Sequence, residues 1–107
     1  MENNEDPNMD IDVSIPGRLV LQLFVSGMSA NSMQAIGNIQ RICAGYAKDQ
    51  VDLEIIDIYK NPSLAKEQQI IFTPSLVRLL PLPKRTFIGN LSDTKKLVTG
   101  LGIHINE

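Results

Sequence analysis

Tryptophan is absent from the 107 residues, and cysteine and histidine occur once each, as Cys43 and His104. One thiol excludes an internal disulfide and any Cys-rich zinc site, and one imidazole removes most His-based metal constellations and most nucleophile–His–acid triads. Aromatic residues make up 5% of the chain, too few to build a stacking platform for single-stranded nucleic acid. No apolar run approaches the length of a membrane span, and no Lys or Arg precedes an apolar stretch at the start as in a secretory signal. These absences point to a cytoplasmic protein with no metal, no cofactor, no nucleic-acid partner and no membrane partner. What is present is 43% hydrophobic residues, enough for a chain of this mass to bury roughly two-thirds of its unfolded surface in one core.

The net charge of −2 is unevenly spread. Residues 1–17 hold Glu2, Glu5, Asp6, Asp10 and Asp12 with no Lys or Arg, a local charge of −5, which leaves +3 on the remainder. That stretch is also poor in large apolar side chains, so it reads as an acidic disordered leader, with residues 18–107 forming a single domain. A surplus of +3 falls well short of a phosphate-tracking surface.

Ordered sequence begins with Leu19-Val20-Leu21-Gln22-Leu23-Phe24-Val25, an almost unbroken apolar run that predicts a central strand covered on both faces. Ser26 to Ser29 make a loop, and Ser29 or Asn31 can cap a helix reaching about Tyr46. On it Ala35, Ile36, Ile39, Ile42, Cys43 and Tyr46 fall three and four apart as one apolar stripe. Residues 51–58 alternate and are rich in β-branched side chains, predicting a parallel strand with one face more exposed. Asn61-Pro62 then reads as the N-cap and first residue of a short helix. After Thr73-Pro74, two strands flank Pro81-Leu82-Pro83 and should pair antiparallel. The last segment is ambiguous. Ser92 or Asp93 can cap a helix through Leu101, but Gly100 and Gly102 would each weaken its interior by about 1 kcal/mol, and residues 101–105 also alternate like an edge strand.

This order of elements resembles thioredoxin-like proteins, which makes the chemistry testable. A dithiol site needs two cysteines two residues apart at the start of the first helix. Here Ser29-Ala30-Asn31-Ser32 puts hydroxyls in both places, and Cys43 sits on the apolar stripe as a small core residue, so dithiol exchange is excluded. Asp57 and Asp93 lack a third partner that would make them an acid–base pair, and His104 reads as exposed and idle. Arg78, Lys84 and Arg85 are either partner-facing charges or a solvated edge that blocks sheet-to-sheet pairing. Thr73-Pro74 is open to either peptide isomer, and apolar Leu80, Leu82 and Phe87 favour self-association.

A closer resemblance lies in the ordered set Leu23-Phe24-Val25-Ser26-Gly27, Asn31-Ser32, Ile56-Asp57-Ile58, Lys60-Asn61-Pro62, Leu64-Ala65, Thr73-Pro74-Ser75-Leu76, Leu80-Pro81-Leu82-Pro83 and Ile88-Gly89-Asn90-Leu91-Ser92-Asp93. Together these motifs resemble the KaiB family, over essentially the whole domain but not the leader. The resemblance implies a non-enzymatic, α/β regulatory protein that binds a KaiC-type ATPase and modulates its phosphorylation and ATPase cycle, in clock or stress timing. It also implies two folds: a shared thioredoxin-like βαβ first half, and a second half either thioredoxin-like (βαβαββα overall) or in the self-associated ground state (βαββααβ), usually a dimer or tetramer. Asn61, Pro62, Thr73, Pro74, Arg78 and Arg85 are then the expected partner contacts, and Gly89, Asn90, Gly100 and Gly102 the fold-switch region. Where the typical member carries Arg, Lys, Lys and Asp, this chain has Gln34, Glu54, Gln69 and Gly102, and three lost positive charges weaken contact with an acidic partner surface. The alternative role is a thioredoxin-like stress-response adaptor without redox activity and without KaiC binding.

Overall fold

In a computed structural model, which describes residues 18–45 and 50–102, four strands and three helices follow in the order βαβαββα. They are β1 (Leu19–Val25), α1 (Ala30–Ala44), β2 (Val51–Asp57), α2 (Pro62–Glu67), β3 (Ser75–Leu80), β4 (Arg85–Ile88) and α3 (Thr94–Leu101). The acidic leader, Tyr46, His104 and the strand considered for residues 103–105 lie outside the described residues.

The sheet order is β2-β1-β3-β4. β1 and β2 run parallel with Leu19 opposite Val51 and Val25 opposite Asp57, while β3 is antiparallel to both β1 and β4. This is the thioredoxin-like of the two expected arrangements. Alternation along β1 sends Leu19, Leu21, Leu23 and Val25 to one face, where they pack with Ala35, Ile39 and Ile42 of α1 and Leu97 and Leu101 of α3. Phe24 points the other way into a smaller core with Ile56, Ala65 and Val77 under α2. The expectation that β1 is fully covered on both faces needs correcting. α2 is only six residues long, so Val20 and Gln22 stay half-buried beyond it.

Local signals at the helix ends behave as their chemistry requires. Ser29 is the N-cap of α1, its hydroxyl accepting from the Ser32 N–H at 3.3 Å, and Asp93 caps α3 by accepting from the Lys96 N–H at 3.1 Å. Pro62 is the first residue of α2, but Asn61 makes no side-chain cap and instead donates to the Asp57 carbonyl at 3.4 Å. Gly102 corrects the sequence reading of a weak interior. It is the C-cap of α3, with φ +73° in the left-handed region where a glycine carries no steric penalty, so it ends the helix rather than weakening it.

Candidate partner-docking face

The parallel and antiparallel registers bring four chain segments to one end of the sheet. Val25 lies beside Asp57, Phe24 beside Ser75, and Ser75 beside Ile88, so the loops after β1, β2 and β4 and the approach to β3 meet there. Asp57 organises this end. Its Oδ1 accepts from the Gly27 N–H at 3.2 Å and from the Tyr59 N–H at 2.9 Å, tying the β1–α1 loop to the β2–α2 loop. Gly27 has φ +57°, and the Tyr59 ring lies against it. Across the end, the Gly89 N–H donates to the Pro74 carbonyl at 2.9 Å, and the Thr73–Pro74 peptide is cis.

Two hydroxyls occupy the position of a redox dithiol. Ser29 Oγ donates to Ser32 Oγ at 2.8 Å, and Ser32, fully buried, also accepts from the Ser26 N–H at 3.1 Å. The cluster is satisfied within itself, and among the described residues no basic side chain hydrogen-bonds to it to activate a hydroxyl as a nucleophile. Cys43 packs beside the main core, half-buried, and burial pushes its thiol up from the ordinary value, away from the reactive thiolate. Among the described residues no three His, Cys, Asp or Glu side chains converge on a point that could hold a metal ion. None of the described helices is long and apolar enough to cross a membrane.

What this end of the sheet offers is apolar surface. Met28, Tyr59, Ile71, Phe72 and Ile88 are all exposed there, between 59% and 82%. Sequence reasoning missed them, because loop residues carry no periodicity that marks them as apolar and uncovered. Asn61 and Pro62 are exposed beside Tyr59, Thr73 is half-buried, and Pro74 is buried. Those four expected contacts therefore share one end with the apolar set.

The two arginines expected beside them do not. Arg78 is buried at 6% exposure, on the face under α3, and its guanidinium donates to the Gly100 carbonyl at 3.0 Å and to the Pro83 carbonyl at 2.7 Å. Burial, and then the charge of Arg85, push it below the ordinary guanidinium value. The reading of Arg78 as a partner-facing or solvated charge is corrected accordingly: its two terminal nitrogens hold the last turn of α3 to the β3–β4 turn, while its Nε is buried without a hydrogen-bond partner among the described residues. Arg85 is exposed and lies over the Phe87 ring, 5.3 Å from its centre, at the opposite end of β4 from Ile88.

Phe87 is itself half-buried against the core and beneath Gly100, and Leu80 is half-buried, so of the three apolar residues expected to be open only Leu82 is exposed. Of the expected switch residues, Asn90 is gripped from α1. The Asn38 amide donates to its carbonyl at 2.8 Å, and its own amide donates to Gln34 Oε1 at 2.9 Å, so Gln34 has a structural use as a neutral side chain. Glu54 accepts from Gln22 at 3.3 Å across the β1–β2 pair, and Gln69 is exposed with φ +58°.

Comparison with known proteins places this architecture. The chain is 45% identical over 86 residues to the circadian clock protein KaiB3 of Synechocystis sp., covering 80% of this chain and 84% of that one. Among solved structures, the N-terminal domain of SasA from Synechococcus elongatus superposes with a TM-score of 0.66 at 24% identity over 95% of each chain. The thioredoxin Deadhead of Drosophila melanogaster gives 0.66 at 17% identity over 81% of each, a likeness of fold. A family model described as the KaiB domain matches residues 22–103, and the chain belongs to the KaiB family, whose relatives are circadian clock proteins.

Proposed function

We propose that this chain acts in the cytoplasm by binding a KaiC-type ATPase, and that the docking face is the end of the sheet where the β1–α1, β2–α2 and β4–α3 loops meet. The observation that carries this reading is the gathering of Met28, Tyr59, Ile71, Phe72 and Ile88 in exposed positions at that one end. Exposed aromatic residues ringed by polar groups, here Asn61 and Thr73, are the usual makings of a binding hot spot. Association would draw on the βαβαββα arrangement, with Gly89, Asn90, Gly100 and Gly102 in the half that rearranges into the self-associated dimer or tetramer, so that binding free energy selects between two states. Modulation of the ATPase cycle then needs no bond-making group on this chain.

Native mass spectrometry and affinity measurement with the co-encoded KaiC-type ATPase test the reading. Phe72→Ala or Tyr59→Ala should weaken the complex roughly tenfold or more, while Leu82→Ala, at the far end of the sheet, should leave affinity within about twofold. Absence of a complex in every nucleotide state would remove the assignment. The adaptor reading, another client on the same face, is favoured by the neutral Gln34 and Gln69 and the acidic Glu54. It is preferred if a different partner binds with the same dependence on Phe72.

A further inference from the structure

A second surface, which adjoins the docking face at Ile88 and the β4–α3 loop, is charged and open. β4 and α3 border a depression of about 1030 Å³, with Arg85 at one end and Lys95 and Lys96 toward the other. Among the described residues the one ion pair is Arg18 with Asp52 on the far edge of the sheet. Arg85, Lys95 and Lys96 therefore face no carboxylate partner there. The carboxylate that does line the depression, Asp93, is engaged in capping α3 through the Lys96 N–H. Polar groups of Thr86, Asn90 and Thr99 border the same space. Three like charges left together on a small domain favour an anionic occupant.

The chain carries such an occupant at a suitable place. Residues 1–17 hold five carboxylates and no cation, and they join the domain at Arg18, immediately before β1. In the sheet Leu21 is opposite Arg78 and Arg78 is opposite Arg85, so Arg85 lies two strands from β1 at the level of Leu21. Two strand spacings are about 10 Å, and the three residues from Arg18 to Leu21 span about 10 Å, which puts Arg85 roughly 14 Å from Arg18. Four to five extended residues, at about 3.3 Å each, cover that distance. Six residues separate Asp12 from Arg18, enough chain to span that distance, and Asp10, Asp6, Glu5 and Glu2 add length to spare for Lys95 and Lys96.

We propose that the acidic leader occupies the β4–α3 groove of its own chain, its carboxylates facing Arg85, Lys95 and Lys96, and so shields this basic surface from acidic partners. The tether supplies an effective concentration of order millimolar, so individually weak exposed contacts suffice. An acidic partner must then displace the leader before it binds.

The test uses the full chain. A nitroxide at Asn8→Cys, in a Cys43→Ser background, should broaden amide resonances of β4 and α3, and Lys95→Glu with Lys96→Glu should abolish that broadening. Replacing the five leader carboxylates by their amides touches nothing in the described fold. It should shift the same amides and tighten binding of a poly-glutamate peptide by about tenfold. Broadening confined to other elements, or unchanged peptide affinity, would overturn the proposal. So would broadening that appears only between labelled and unlabelled molecules in a mixed sample, since the occupant would then be a second copy's leader.

Discussion

Asp57 shows how one side chain sets the geometry of a surface. A single carboxylate oxygen accepts two backbone N–H groups from two loops, and among the described residues no other side chain hydrogen-bonds to both. Asp57→Ala should cost about 1–3 kcal/mol, the usual loss when two donors to a charged acceptor are stranded in part-buried surroundings. Asp57→Asn keeps an oxygen in the same place and should lose less than half as much. Urea titration of both variants checks the order, and equal losses would show that charge rather than the paired acceptance matters. The role was not legible beforehand. In the sequence Asp57 is simply the last polar residue of an alternating strand, and its partners, Gly27 and Tyr59, are fixed only once β1 and β2 lie parallel. Arg78 was misread for a related reason. An arginine in an apolar run before a proline turn reads as an edge charge, and nothing in that pattern announces two carbonyls from other segments waiting to receive it.

At the scale of elements, β1, α1 and β2 were legible from periodicity, and α2 from Asn61-Pro62, because each signal is local. α3 was not, because its eight residues would be marginal alone and its stability comes from packing that the sequence does not display. Leu97 and Leu101 are buried in the main core, and Gly100 lets the helix approach the Phe87 ring. A methyl group at Gly100 would overlap the edge of that ring. Gly100→Ala thus sets a helix-propensity gain of about 1 kcal/mol against an overpacking penalty of about 1–3 kcal/mol. The penalty should prevail, because Phe87 is wedged between the core and Arg85 and has little room to swing. The same substitution in a Phe87→Leu background, where the overlap is gone, should stabilise α3. Thermal unfolding of the two single variants and the double variant reads the change of sign directly. No such change would mean that the helix–ring contact does not govern the docking of α3.

For the whole molecule, the two faces of the sheet are unequal. One carries α1 and α3 over a continuous apolar core and the other only the short α2, so hydrophobic burial is concentrated on the first. The fold class was readable because an apolar β1 followed by an amphipathic helix and an alternating strand admits few topologies, and a right-handed parallel crossover is nearly obligatory. The docking face was only half readable: Asn61, Pro62, Thr73 and Pro74 mark its position, whereas its apolar surface is assembled from loops distant in sequence. With one exposed ion pair among the described residues, Tm should move by no more than about 5 °C between about 0.05 and 0.5 M potassium chloride. A scanning calorimetry series checks this, and a larger drop would reveal charge contacts essential to folding.

The pair of Arg18 and Asp52, the one ion pair among the described residues, makes electrolyte a dissecting tool. Brine can peel away whatever clings to this scaffold by charge while the scaffold keeps its shape, so a single dialysis gradient separates companions that adhere through ions from those that adhere through oil.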